Sequence, residues 1–116
     1  MRNFREYDIW KSGIQITKAI YLLTNKFPET EKYGLITQIQ RASVSIPSNI
    51  AEGSGRNSEK EFKQFLHIAQ GSSFEVETQL LIAQELNILT ENEIQEILNQ
   101  LHQLQRQINH LIGLLK

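Results

Sequence analysis

Near the C-terminal end, Ile94, Ile97, Leu101, Leu104, Ile108, Leu111 and Leu115 recur at alternating steps of three and four residues. Only an α-helix brings such positions onto one narrow stripe, and in water that stripe is stable only against other helices. Gln, Asn and His fill the opposite face. A chain built around this segment is therefore committed to helical partners, which the remaining residues must supply.

They supply three. A first helix is expected from about Asp8 to Lys26, with Ile9, Gly13, Ile16, Ile20, Leu23 and Phe27 on one face and Pro28 ending it. A second runs from near Thr30 to about Gly53, burying Leu35, Ile39, Ala42, Ile46 and Ile50, with Gly53 and Gly55 giving the backbone freedom for a turn. Ser58 with Glu61 reads as a capping box opening a third helix that reaches about Asn87, and Thr90 with Glu93 repeats the signature before the fourth. Connections this short cannot carry a helix across a bundle. The expected fold is a single-domain, all-α, antiparallel up-down-up-down four-helix bundle over residues 1–116.

Composition excludes several functions. With no cysteine, disulfides and thiolate metal sites are impossible. The opening MRNFREYDIW is too polar for a signal peptide and no apolar run spans a bilayer, so a cytoplasmic protein with no membrane association is expected. Net charge is -1, but the first 57 residues hold eight basic and five acidic side chains and the remainder four and eight. That asymmetry can steer an anionic partner to one side, though it is weak beside the basic balance of a dedicated nucleic-acid binder.

One stretch is filled in a way that helix propensity does not explain. Ser43, Ser45, Ser48 and Asn49 all compete with the backbone for hydrogen bonds, and Pro47 removes a donor and crowds the carbonyl of Ser43. This stretch carries Gln38-Ile39-x-Arg41-Ala42, then Ser45-Ile46-Pro47-Ser48-Asn49-Ile50-Ala51-Glu52-Gly53, then Gly55-Arg56 leading to Phe62, Phe65 and Leu66. Ala69, Gly71-Ser72, Glu75 and Glu77 continue it, with Phe4, Asp8, Trp10, Phe27-Pro28, Glu31 and Tyr33-Gly34-Leu35 flanking. On these residues the chain resembles the 23S rRNA intervening-sequence protein family. The resemblance implies a four-helix bundle assembled as a homopentamer. It also implies relatives among accessory proteins of diversity-generating retroelements, which act with a reverse transcriptase and nucleic acid.

Apolar residues are left over once each core face is filled. Trp10, Ile14 and Tyr21 form a second stripe on the first helix, Ile68, Ile82 and Leu86 another on the third, and Val44 opposes the core face of the second. Covered surfaces of this kind point to a homo-oligomer, with Trp10, Ile14, Tyr21, Ile68 and Ile82 as the expected interface.

Catalytic chemistry finds no support. There is no Glu-x-x-His for a paired-metal bundle, His67, His102 and His110 lack ligand spacing, and no cofactor motif is present. Neither a catalytic residue nor a metal ligand is assigned, and a non-enzyme is expected. Glu75 falls between Ile68 and Ile82, and Asn49 between Ile46 and Ile50, where lone polar groups are costly. A structural network of Asn49, Glu52 and Glu75 with Arg41 or Arg56 would resolve both. Arg56 precedes a helix N-terminus, where a guanidinium and backbone amides can hold a phosphate. Lys60 and Lys63 follow it, Lys11 and Lys18 share a face of the first helix, and Arg2 and Arg5 lie in a flexible leader. RNA or DNA contact is thus expected through Arg41, Arg56, Lys60, Lys63, Lys11 and Lys18. The alternative is an oligomeric scaffold for another protein, favoured by the charge balance and the Gln-rich fourth helix.

Overall fold

The computed structural model describes residues 2–31 and 34–116. Four α-helices carry the fold: α1 (Asp8–Thr24), α2 (Leu35–Ser54), α3 (Glu59–Glu85) and α4 (Glu91–Leu114). Single 3-10 turns at Phe4–Glu6 and Glu29–Glu31 precede α1 and α2, and the described residues contain no strand. Each helix touches two neighbours in the order α1, α2, α3, α4 and back to α1, while the diagonal pairs make no contact. The result is a four-cornered bundle 43 × 24 × 19 Å.

Every core position expected on α1 is buried, as are Ile39, Ala42, Ile46 and Ile50 of α2 and Ile94 through Ile108 of the heptad. Leu35, Leu111 and Leu115 are only half-buried, because the stripe runs out where the helices end. Each fully buried isoleucine or leucine contributes about 1.5–3 kcal/mol, so this seam is the main source of cohesion.

Two boundaries and one cap differ from the expectation. α1 stops at Thr24, because the amides of Lys26 and Phe27 turn back to Leu23 and Thr24 and bury the Phe27 ring ahead of Pro28. α2 starts at Leu35 rather than near Thr30, where only the 3-10 turn forms; Lys32 and Tyr33 lie outside the described residues. At α3 the Ser58 hydroxyl accepts from the Glu61 amide at 3.1 Å, but the return bond from the Glu61 carboxylate is not made. The Thr90–Glu93 box of α4 forms in both directions.

The glycines after α2 are also used differently. No glycine among the described residues has positive φ. Gly53 is helical and buried, and a Cβ there would stand 2.5 Å from the Phe65 Cβ, so it is small to let α3 approach. The left-handed residue is Asn87 (φ 60°), which ends α3 and lets the amides of Ile88 and Leu89 reach back to the Ala83 carbonyl.

The small polar residues sit at helix contacts. Ser43, Ser54 and Ser73 are buried and satisfy their hydroxyls on carbonyls three residues back. Between α1 and α2, a Cβ on Gly13 would lie 3.3 Å from both Ile46 and Pro47. Between α2 and α3, Ser72 Oγ donates to Ser45 Oγ at 2.9 Å, and Asn49 Nδ2 donates to the same oxygen and to the Ser45 carbonyl at 2.8 Å.

Candidate nucleic-acid interface

α2 ends at Ser54 with Gly55 as its C-cap, and α3 starts at Glu59 behind Ser58, so Arg56 and Asn57 form the whole corner between them. The Arg56 amide bonds the Gly53 carbonyl at 3.1 Å, which closes the α2 end. Its guanidinium lies 3.1 Å from Glu52 Oε1 and 4.7 Å above the Phe65 ring. A guanidinium held over a ring keeps N–H groups that its ring contact does not use, and a planar fork suits a phosphate.

Arg2 reaches the same corner. Its guanidinium stands 4.7 Å over the Phe62 ring and donates to the Arg56 carbonyl at 3.1 Å. Arg2, Ser54, Gly55, Arg56 and Asn57 line an open recess of about 580 Å³. The leader is therefore docked rather than free: Asn3 caps the Phe4–Glu6 turn, Arg5 covers the Phe4 ring at 4.4 Å, and Phe4 meets Trp10 edge-on at 5.3 Å. Two arginines over two phenylalanines, beside the positive end of a 27-residue helix, suit this corner to an anion, with Glu52, Glu59 and Glu61 close by.

Sequence reasoning named Arg56 but not the aromatic rings beneath it. Phe62 and Phe65 entered only as motif residues, and nothing in one sequence says that Arg2, 60 positions before Phe62, lies over its ring.

The six cations expected to contact nucleic acid fall on three surfaces. Arg56 is at the corner, with Lys60 and Lys63 in the first two turns of α3. Lys11 and Lys18 line recesses between α1 and α4, Lys11 with Asp8 and Gln103, Lys18 with Lys26 and Glu96. Arg41 lies in a groove between α2 and α3 with Gln38, Ser45, Ser72, Glu75 and Gln79. A seven-residue spacing aligned Lys11 with Lys18, but the next helix in the bundle decided which side they occupy.

The polar groups assigned to one network take separate partners. Asn49 bonds Ser45, Glu52 pairs with Arg56, and Glu75 is exposed with no hydrogen bond or ion pair among the described residues. Glu75 precedes buried Val76, and a turn of 100° carries it into solvent, so its charge needs no compensation.

A polar cluster that spacing did not reveal joins α3 to α4. Glu77 Oε2 lies 3.2 Å from His102 Nε2, and Gln105 Nε2 donates to Glu77 Oε1 at 2.9 Å. Burial raises the Glu77 carboxyl, but the Gln105 donor and the His102 contact outweigh it and leave the group below its ordinary value.

Charge is sorted along the long axis. Contacts from Arg2 to Arg56 and from the Lys116 amide to Glu59 gather Arg2, Arg5, Arg56, Lys60 and Lys116 at one end, where Glu6, Asp8, Glu52, Glu59 and Glu61 bring the charge close to balance. The Lys26–Glu93 pair marks the other end, where Glu29, Glu31, Glu85, Glu91 and Glu93 dominate.

Of the residues expected at an oligomer interface, Ile14, Tyr21, Ile68 and Ile82 are 40–50 % exposed, while Trp10 is half-buried against its own chain. Leu22, Phe74 and Leu81 are exposed as well. No helix among the described residues is long and apolar enough to cross a membrane.

Comparison with known families settles the kinship of this corner and its bundle. The model of the 23S rRNA-intervening sequence protein matches residues 5–110. The chain belongs to that family. The matched stretch includes Arg56, Phe62 and Phe65 and leaves Arg2 outside it. A crystal structure of a protein of unknown function from the S23 ribosomal protein family of Bacteroides thetaiotaomicron superposes with a TM-score of 0.83. It is 22 % identical, with 90 % of this chain and 97 % of that one covered, and supports the fold. Comparison with curated proteins gives no match.

Proposed function

We propose that this member of the 23S rRNA-intervening sequence family is a non-catalytic accessory protein that binds nucleic-acid phosphate through the Arg2–Arg56 corner. The observation that carries the reading is the pair of guanidinium groups, each 4.7 Å over a phenylalanine, bordering one open recess at the start of α3. In this reading the chain is an antiparallel up-down-up-down bundle, as the cross-helix contacts of Arg2, Lys26 and Lys116 favour. It acts in the cytoplasm as a homo-oligomer, a pentamer by family kinship, assembled through the apolar stripes that include Ile14, Tyr21, Ile68 and Ile82. Repetition of the corner around a ring turns a modest cluster into a strong one by multivalency. Lys60 and Lys63 extend the surface; Lys11, Lys18 and Arg41 belong to other sides of the bundle.

The test is fluorescence anisotropy with structured RNA and with duplex DNA at low and at physiological salt. Affinity should fall steeply with salt, because each neutralised phosphate releases counterions, and sequence preference should be slight. Charge reversal of Arg56 together with Lys63 should weaken binding to every sequence and flatten the salt slope, whereas Arg106→Glu on α4 should do little. Absence of binding at low salt would overturn the reading.

A second reading, an oligomeric scaffold for another protein such as a reverse transcriptase, draws on a different observation. Phe74, Leu81, Ile82 and Leu86 leave a run of apolar surface on α3 longer than phosphate binding requires.

A further inference from the structure

Four exposed charged side chains make no hydrogen bond or ion pair among the described residues, although each borders apolar surface. Lys18 and Glu96 line the recess between α1 and α4, beside Leu22, which is 60 % exposed. Arg41 and Glu75 line the groove between α2 and α3, which continues past Phe74 and Ile82. Because helix contacts run α1–α2–α3–α4–α1 with no diagonals, these two recesses lie on opposite sides of the bundle.

We propose that the α1–α4 side of one copy seats on the α2–α3 side of a second copy, with Lys18 meeting Glu75 and Glu96 meeting Arg41. The inference rests on the oligomer reading above and specifies which faces meet and in what register. The complementarity is double: each side offers one cation and one anion, left unmatched at home, flanked by hydrophobic residues. A two-fold contact through either side alone would leave the other side bare, with the same unpaired charges and apolar surface. One heterologous contact repeated from copy to copy covers both. Such a contact gives a ring if its rotation closes and a filament if it does not.

Gln79 supplies an independent observation. It lines the α2–α3 groove and is only 9 % exposed, and its carboxamide oxygen has no hydrogen-bond partner. A buried acceptor of this kind is costly until a donor arrives. The Lys18 ammonium carries three N–H donors, enough for both the Glu75 carboxylate and this oxygen. Gly71, which lines the adjoining stretch, has nothing within 4 Å of its Cβ position and leaves the groove wall low for an approaching helix.

Charge exchange tests the pairing, read as molar mass by light scattering after size exclusion. The wild-type chain should form a multimer. K18E and E75K should each fall to single chains with unchanged helical circular dichroism, the doubly exchanged K18E/E75K chain should regain the multimer, and the two single variants mixed should regain a multimer in which they alternate one to one. A double variant as dissociated as the single ones would overturn the pairing, as would single variants of wild-type mass. If Ile68→Lys dissociates the multimer and neither charge reversal does, the pairing fails while the oligomer reading stands. A monomeric wild-type chain would remove both.

Discussion

The hydroxyl of Thr17 on α1 stands 2.9 Å from the carbonyl oxygen of Ser43 on α2, the carbonyl that Pro47 leaves without its helical donor. The same hydroxyl is 2.8 Å from the Gly13 carbonyl of its own helix, so one proton is shared between an internal bond and a bond across the interface. The helix break is mended by a neighbour. Thr17→Val should lower stability by about 1–3 kcal/mol, the range for orphaning a buried acceptor. Pro47→Ala restores an N–H to Ser43, so Thr17→Val should cost clearly less in that background. A double-mutant cycle by urea denaturation checks this, and equal costs in the two backgrounds would refute the mending role.

Gly53 is small for space. Gly53→Ala places a methyl 2.5 Å from the Phe65 Cβ and 3.0 Å from Phe62 Cδ1, and should cost roughly 1–3 kcal/mol by overpacking. Gly113 is also helical, with nothing within 4 Å of its Cβ position, so Gly113→Ala should stabilise by up to about 1 kcal/mol. Thermal unfolding should thus separate two identical substitutions by sign.

Glu77 should give stability an acid-side dependence. Its carboxyl is lower in the folded chain than its ordinary 4.5, so its ionised contacts stabilise the fold above that pH and are lost as pH falls through the folded value. The group is partly exposed and screened, so the effect should stay below about 1 kcal/mol. The stability difference between wild type and Glu77→Gln should shrink below about pH 4.5. A difference that grows on acidification would contradict this sign.

Trp10 and Ile68 should respond differently to the same substitution. Ile68 is 50 % exposed and Ile68→Lys should shift mass towards single chains while leaving the helical content of the bundle unchanged. Trp10 packs edge-on against Phe4, so Trp10→Lys should cost about 0.5–1.5 kcal/mol from the ring pair beyond its lost burial. Scattering and calorimetry on both variants separate the two roles.

The helices were legible because their signals are local. The three-and-four spacing placed most buried positions of α1, α2 and α4 but assigned no core face on α3, and Thr90 with Glu93 marked the start of α4 to the residue. Family kinship was legible for the opposite reason: Ser45, Pro47, Asn49 and Gly53 are poor helix choices in isolation, and their presence inside a helix signals contacts that only the folded bundle explains. What stayed hidden depends on which side of a helix its neighbour occupies. Spacing placed Lys11 and Lys18 on one face of α1 but not beside α4, and put Glu75 on an apolar stripe without showing that the stripe faces solvent. Nor could it bring Arg2 to Phe62, since that contact closes across the tertiary fold.

The sorting of charge along the bundle has a kinetic consequence. A particle 43 Å long, with carboxylates in excess at the Glu91 end and charge near balance at the other, is an electric dipole. In the field of a polyanion it experiences a torque before any contact forms, which turns the Arg56 corner forward and the Glu91 end away. Encounters are biased towards one orientation out of all those that diffusion would otherwise have to sample, and salt that shortens the field would slow capture even where the final contacts are unchanged.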